Sequence, residues 1–507
     1  MADKKEISIN RNYYIALAVF FILYCLFLSW SFLFQNVDDA YISFRYGKNL
    51  MSGLGLVYNK GEYLEGYTNF LWTIITAPFT KVNFIDVSRF AIVLGLLISL
   101  LNIVFITRIS KVIAGIFPEL SAQFLLLPVL FYVLDDSMAF WAIGGMEFPL
   151  YVLLILGITY FYFKINDKPG NYIILFLFLA LCTLNRPEGN LIFTIVIVHS
   201  FFYRKSINNY FRKIFIVCLL YTIFAALYYG FKYFYYGQVI PNTFYAKGVT
   251  DALMNLWLGF KYLVLGLGTR CYIFFFILFL PFKKVFKDYR LSYLIVFSFM
   301  YLLYLWCVGG DWMIANRFFV PVIPILYILS SIGFVIAIQK FISHSPLRQK
   351  YRDRIFNLST AMICVFIFFV TMGLLEYREL IIKDENYKYE MQWSMFGKWL
   401  KMNTAPNTII AVGPAGKIPY YSELYTIDMW GLNNEHIAKT RSKRLAAGHK
   451  KFDFDYVLSL KPEFIIGYAG FTDSDMPQEY EKFNAPEEEY KSIDVVFRLK
   501  PQYRNNN

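Results

Sequence analysis

Apolar residues in this chain run in long blocks instead of alternating. Blocks fall near 13–34, 87–107, 121–134, 147–163, 171–184, 190–203, 214–236, 271–282, 291–308, 318–338 and 357–375. A helix needs about 20 apolar residues to cross a bilayer, so the pattern predicts a mainly α, polytopic membrane domain of about eleven spans. The shortest blocks must borrow neighbouring residues or sit in thinned bilayer. A weaker block, 67–80, ends at Pro78 and reads as a re-entrant or interfacial helix. The first block, Tyr13 to Phe34, is too long for a signal-peptide core and reads as a retained anchor.

Beyond residue 375 the pattern changes. Charges of both signs appear and apolar runs shrink to strand length: Thr408 to Val412, Phe464 to Ile466, and Val495 to Phe497. Gly413-Pro414-Ala415-Gly416 reads as a turn after the first of these. Met391, Met395, Phe396 and Trp399 recur at helical spacing within Tyr389 to Leu400. The chain therefore divides into a transmembrane domain, 1–375, with an outer juxtamembrane loop, 35–86, and a soluble extracytoplasmic α/β cap, 376–507.

Composition sharpens the class. The chain is 58% hydrophobic and 17% charged, against about 45–50% and about 25% for soluble domains. That excess excludes disorder, a collagen-like fibre and a disulfide scaffold, and argues against a purely soluble enzyme. The net charge of +13 reads as basic cytoplasmic loops meeting anionic lipid, not as a nucleic-acid surface. The basic clusters are Arg204, Lys205, Arg212 and Lys213; Lys283, Lys284, Lys287 and Arg290; and Lys340, Arg348, Lys350, Arg352 and Arg354, with Lys4, Lys5 and Arg11 in the N-terminal tail. With the 67–80 block not crossing, all of them lie inside, the N-terminus is cytoplasmic and the C-terminal domain lies outside. The six cysteines sit in or beside apolar runs without CxxC spacing and read as small hydrophobes.

This threading collects the unusual polar clusters on the outer side. They are Asp38-Asp39; Gly144-Gly145-Met146-Glu147; Asn185-Arg186-Pro187-Glu188; Pro241 to Lys247; and Gly309-Gly310-Asp311-Trp312 followed by Arg317. Each has two readings. Asp38-Asp39 either caps a juxtamembrane helix or supplies a general base whose pKa rises in an apolar pocket. The aromatics, amides and carboxylates Tyr58, Glu65, Tyr67 and Asn69 suit a sugar, or form an interfacial turn. Arg186 and Glu188 are a structural ion pair or a functional one. Arg317 grips a phosphate with help from Lys247, or snorkels to lipid headgroups. The four histidines share no ligand spacing, which argues against a His-rich metal site; a carboxylate-bound divalent cation at Asp38/Asp39 stays open, and no cofactor is required. There is no Walker A motif.

The series from Asp38 to Tyr46, Gly55-Leu56-Val57-Tyr58-Asn59 and Glu65 to Trp72 resembles the polyprenyl-phosphate-sugar-dependent glycosyltransferases of the GT-C superfamily, in the branch of the mycobacterial terminal arabinofuranosyltransferase. The likeness continues at Gly145-Met146-Glu147, Asn185 to Gly189, Pro241 to Lys247 and Gly309 to Met313 with Arg317. It reappears at Pro419-Tyr420-Tyr421, Asp428 to Asn433, His436-Ile437-Ala438 and Gly448-His449.

The resemblance implies an outer-face site, a polyprenyl-phosphate-linked sugar donor, a glycan or glycolipid acceptor, and inversion at the sugar carbon, in the bacterial plasma (inner) membrane. It maps the base onto Asp38 or Asp39 and the donor phosphate onto Lys247, Arg317 and Arg186. Candidate substrate contacts are Tyr41, Arg45, Tyr58, Glu65, Tyr67, Asn69, Glu147, Glu188, Asn242, Tyr245, Asp311, Trp312, Asp428, Asn433 and His436. The competing readings are a lipid-linked-sugar translocase, a non-catalytic envelope-assembly protein, and transfer of another group such as phosphoethanolamine, whose nucleophile and metal cluster the sequence does not supply.

Overall fold

The computed structural model describes residues 11–31, 36–82, 84–117, 120, 122–248, 252–311, 313, 315–343, 358, 362, 386–441, 451–467, 471–483 and 495–504. Among the described residues, sixteen helices build the apolar part. In order they are α1 (Arg11–Ser31), α2 (Asp38–Met51), α3 (Phe70–Thr76), α4 (Val87–Ala114), α5 (Leu127–Leu134), α6 (Asp136–Ile143), α7 (Phe148–Phe163), α8 (Asn171–Asn185), α9 (Gly189–Phe202), α10 (Tyr210–Tyr236), α11 (Asn242–Lys247), α12 (Ala252–Gly268), α13 (Cys271–Phe274), α14 (Phe282–Val285), α15 (Tyr289–Val308) and α16 (Ile323–Ser343).

Among the described residues, α4, α10, α15 and α16 are each long and apolar enough to cross a membrane. Two further pairs qualify as bent units. Helices α6 and α7 meet at 117°, and α12 meets the helical stretch to Phe279 at 73°. The chain is thus a multi-pass membrane protein, with four to six such spans among the described residues; the count of about eleven suggested by the hydrophobic blocks is neither reached nor excluded by them. Several blocks form shorter or bent elements. The 121–134 block divides into a 3-10 turn and the eight-residue α5, and α8 and α9 have only 15 and 14 residues. The 271–282 block is the second limb of a bent pair whose first limb, α12, was obscured in the sequence by Asn255 and Lys261. The 67–80 block forms the short α3 and a 3-10 turn through Pro78. The 357–375 block lies outside the described residues, apart from Leu358 and Met362.

The cap begins with α17 (Asn386–Asn403) and carries a five-stranded sheet. Its strands are β1 (Ile409–Val412), β2 (Tyr425–Asp428), β3 (Phe464–Ile466), β4 (Tyr480–Lys482) and β5 (Val496–Leu499), in the order β2-β1-β3-β5-β4. Strand β1 runs parallel to β2 and β3, while β5 is antiparallel to β3 and β4. The buried strands β1, β3 and β5 were legible as apolar runs. Strands β2 and β4 were not, because Tyr425-Thr426-Ile427-Asp428 and Tyr480-Glu481-Lys482 mix polar and apolar residues at the sheet's two edges.

Cap and membrane domain share one core. Ile42, Tyr46, Leu56, Tyr58, Tyr67 and Tyr236 pack with Phe396, Leu400, Ile410, Val412, Ile418 and Phe464. Arg45 fastens the seam: its guanidinium donates to the Tyr58 carbonyl (2.8 Å), Asn59 Oδ1 (3.0 Å) and the Leu424 carbonyl (2.7 Å). Tyr58 donates to the Ala415 carbonyl at 2.6 Å. Asn242 Nδ2 reaches the carbonyls of Gly431 (2.8 Å) and Leu432 (2.9 Å). The fit leaves no room at Gly66, where a Cβ would lie 2.0 Å from Asn433 Oδ1 and 2.9 Å from the Leu432 carbonyl oxygen. Gly66→Ala is therefore expected to destabilise the docked cap by about 1–3 kcal/mol, read as a lower melting temperature in detergent; an unchanged melt would refute the tight seam.

Candidate active site at the base of the cap

Helix α2 places its first two residues differently. Successive helix positions diverge by about 100°, so Asp38 and Asp39 face separate surroundings. Asp38 turns to the cap, where its carboxylate accepts from the backbone N–H groups of Gly416 (2.9 Å) and Lys417 (2.7 Å). Those groups open α18 (Lys417–Ser422), just past the carboxyl end of β1. Strand β1 is flanked on both sides by parallel partners, and the crevice beyond such a strand is where open α/β sheets commonly take a ligand. Here the crevice takes Asp38. The approach is so close that a Cβ on Gly416 would lie 1.9 Å from the Asp38 carbonyl oxygen.

Asp39 faces a pocket instead. The pocket is lined by Asp39, Ile42, Ser43, Gly66, Tyr67, Thr68, Asn69, Met146, Glu147, Arg186, Thr243, Lys247, Arg317, Phe318 and Leu432. Every outer polar cluster recognised in the sequence contributes a wall or a backing residue. Arg317 donates to both Asp311 oxygens, 2.6 and 2.7 Å, and to Asp39 Oδ2 at 3.1 Å. Ala315 (φ +55°) and Asn316 (φ +46°) are consecutive left-handed residues that turn the chain into Arg317. Trp141 Nε1 pins that turn by donating to the Ala315 carbonyl at 3.1 Å.

Arg186 is committed as fully. It donates to Glu147 at 2.6 Å and to both Glu188 oxygens at 2.9 and 3.2 Å. Glu147 also accepts from Asn69 Nδ2 (2.8 Å), Asn69 Oδ1 accepts from Ser43 Oγ (2.9 Å), and Glu188 accepts from Tyr304 (2.8 Å). Lys247 differs. Among the described residues it has neither a hydrogen-bond nor an ion-pair partner. Burial draws its pKa below the ordinary lysine value and Arg317 adds to the pull, while Asp39 and Asp311 oppose it.

The remaining candidates lie elsewhere. Tyr41 packs on Tyr420 and Tyr421 at the cap seam, with Arg45, Tyr58, Asn242 and Asn433. Asp428 closes the loop after β2, accepting from Trp430 N (3.0 Å), Asn433 N (2.9 Å) and Asn433 Nδ2 (3.0 Å). Glu65 forms a buried ion pair with Lys232 at 2.8 Å. Tyr67 lines the pocket and pairs with Tyr236 at 3.1 Å. Tyr245 is half-buried beside Phe244. His436 sits at the cap surface, 2.9 Å from Asp453 and stacked on Tyr456. Trp312 and His449 lie outside the described residues. Sequence reasoning passed over Thr243 and Ser43. The four-residue spacing of Thr243 and Lys247 behind Pro241 was the available signal for Thr243.

Asp38 and Asp39 do not converge on one point, since the first carboxylate accepts from the cap's N–H groups and the second lines the pocket beside Arg317. Among the described residues no group of three or more His, Cys, Asp or Glu side chains converges for a metal.

Comparison with known proteins finds relatives in fold and in part of the sequence. ArnT from Cupriavidus metallidurans superimposes with a TM-score of 0.58 at 12% identity, covering 88% of this chain and 92% of ArnT. The chain shares the fold of ArnT. The archaeal oligosaccharyltransferase AglB from Archaeoglobus fulgidus shares that fold with a TM-score of 0.52 at 10% identity, over 83% of this chain and 64% of AglB. In sequence, the terminal β-(1→2)-arabinofuranosyltransferase of Mycobacterium tuberculosis is 26% identical over 230 residues, 43% of this chain. The match spans 35% of that relative's length. Residues 380–503 match a family described as a domain of unknown function, DUF8728. The resemblance read from the motifs therefore holds at the level of fold and partial sequence.

Two expectations follow. Asp38→Asn replaces one acceptor oxygen by a donor facing a backbone N–H, at a cost of about 1–3 kcal/mol. The cap of this variant should be cut faster by limited proteolysis than that of the wild type; equal rates would refute the contact. Burial also lifts the Asp428 carboxyl from 3.8 to about 6, against the hydrogen bonds from Asn433 and Trp430 that favour its charged form. A raised folded pKa means that its stabilising contribution is complete below the unfolded value and is lost as pH rises through about 6. The melting-temperature gap between wild type and Asp428→Asn should accordingly shift in favour of the wild type between pH 8 and pH 4; a constant gap would contradict it.

Proposed function

We propose that this protein is an inverting membrane glycosyltransferase that moves a sugar from a polyprenyl-phosphate donor to an envelope glycan or glycolipid on the outer face of the bacterial plasma membrane. In this reading the N-terminus is cytoplasmic and the cap extracytoplasmic, as the basic loops indicate. One observation carries the proposal: a carboxylate, Asp39, and an uncommitted ammonium, Lys247, line the same pocket beneath the cap. Three comparisons support it. The partial sequence relative is an arabinofuranosyltransferase, ArnT has been solved bound to undecaprenyl phosphate, and AglB has been solved with a dolichol-phosphate.

The chemistry follows from the groups present. An acceptor hydroxyl attacks C1 of the donor sugar, forming the new C1–O bond as the C1–O bond to phosphate breaks. Asp39 takes the hydroxyl proton, and polyprenyl phosphate leaves with both electrons of the broken bond. The leaving phosphate is a stable anion, so Lys247 steadies its charge without a strong general acid. A single displacement inverts the configuration at C1. Asp38 holds the cap and takes no part in proton transfer.

Purified protein incubated with a panel of polyprenyl-phosphate sugars and an envelope-glycan acceptor should release free polyprenyl phosphate. Asp39→Asn should lower kcat by about 10²–10⁴-fold with an unchanged melting temperature. Full turnover by Asp39→Asn would remove the base, and movement of lipid-linked sugar across vesicles without transfer would make the protein a translocase.

A further inference from the structure

The pocket contains three cations, and two of them are held in ion pairs through all three guanidinium nitrogens. Arg317 is bidentate on Asp311 with its remaining reach on Asp39, and Arg186 is divided between Glu147 and Glu188. Drawing either onto a phosphate would strip a buried carboxylate of its partner. The Ser43 hydroxyl already donates to Asn69 Oδ1. What remains lies on α11. Lys247 has no partner among the described residues. Thr243 is 7% exposed, lines the pocket, and its hydroxyl is likewise without a hydrogen-bond partner. Residues four apart share one helix face, so Thr243 and Lys247 stand side by side. A buried hydroxyl left unsatisfied is uncommon and calls for an explanation, a missing ligand among them.

The helix bearing this pair is held firmly. Asn242 N donates to the Glu65 carbonyl at 2.9 Å, and Asn242 Nδ2 donates to the cap carbonyls of Gly431 and Leu432. Asn242 immediately precedes Thr243, so the same contacts fix the start of the helix face that carries it. The pair is thus pre-set before any ligand arrives.

We infer that Thr243 and Lys247 form a two-point clamp for the phosphate of the lipid donor and of the polyprenyl phosphate released from it, with Thr243 Oγ–H donating to one non-bridging oxygen and Lys247 to another. Arg317 and Arg186 then act behind the clamp, orienting Asp39 and Glu147 without touching phosphate. This rests on the proposed reading of the pocket as a lipid-phosphate site; it adds Thr243 to Lys247 as a phosphate contact and withdraws Arg317 and Arg186 from that role.

The test uses the full-length protein in detergent and needs no turnover. Binding of undecaprenyl phosphate, undecaprenol and inorganic phosphate is measured for wild type, Thr243→Val, Thr243→Ser and Lys247→Met. Thr243→Val keeps the side-chain shape and should weaken undecaprenyl phosphate binding about tenfold, with a melting temperature no lower than that of the wild type without ligand. Thr243→Ser should restore affinity to within about threefold, and Lys247→Met should weaken it at least as much as Thr243→Val. Undecaprenol should bind all four proteins alike, because it lacks the group the clamp holds. Inorganic phosphate should compete with the lipid in the wild type and lose that competition in Thr243→Val, which separates a phosphate site from a lipid-chain site.

Wild-type affinity in Thr243→Val would overturn the clamp. So would an effect of Thr243→Val on undecaprenol, or a rise in acceptor KM with unaltered lipid-phosphate affinity, which would place Thr243 on the acceptor. The outcome is independent of the base: Asp39→Asn should bind undecaprenyl phosphate whether or not it transfers sugar, so loss of the Asp39 assignment leaves the clamp standing.

Discussion

The angle between two neighbouring residues on a helix governs this molecule. Asp38 and Asp39 begin α2, and helical geometry sends their carboxylates in different directions. One enters the crevice at the end of β1 and holds the cap through two backbone N–H groups. The other lines the pocket under that cap. A single rigid turn therefore carries both the latch for the soluble domain and the carboxylate of the candidate site. Cap docking and pocket geometry are set by the same backbone, which is why the fit at Gly66 and Gly416 tolerates no side chain.

The second constraint is electrostatic. Burying a charge beside a membrane is expensive unless a partner is close. The pocket meets this with paired ions: Arg317 with Asp311 and Asp39, Arg186 with Glu147 and Glu188, and behind them Glu65 with Lys232. These pairs leave the arginines as scaffolding. Lys247 and Thr243 stand apart because their donors are unspent among the described residues. The contrast between committed and uncommitted groups, more than the number of charges, marks where an anion would be received.

Much of this was legible in the sequence. Apolar blocks identified a membrane protein, and the change of pattern after residue 375 marked a cap whose buried strands β1, β3 and β5 lie where apolar runs stood. The polar clusters placed together by charge threading do meet, with Asp39, Glu147, Arg186, Lys247 and Arg317 around one pocket. What could not be read was contact. Nothing in Asp38-Asp39 says that the first would meet Gly416, nearly 380 positions away. Tyr41, Arg45, Tyr58 and Asn242 have the look of sugar-binding residues, and the fold uses them as seam because the cap needed polar partners as much as a substrate does. The bends at Gly144 to Glu147 and near Arg270 were not legible either, because hydropathy does not record the angle between two helices.

The central claim is that the two carboxylates of α2 divide their work, with the lipid phosphate on the Asp39 side. A cryo-electron-microscopy structure of the full-length protein with undecaprenyl phosphate tests it most directly. The account predicts the phosphate in the pocket within hydrogen-bond reach of Lys247, Asp38 still on the Gly416 and Lys417 N–H groups, and Arg317 still on Asp311. A phosphate seated on Arg317 with Asp311 displaced, or Asp38 swung into the pocket beside Asp39, would contradict it.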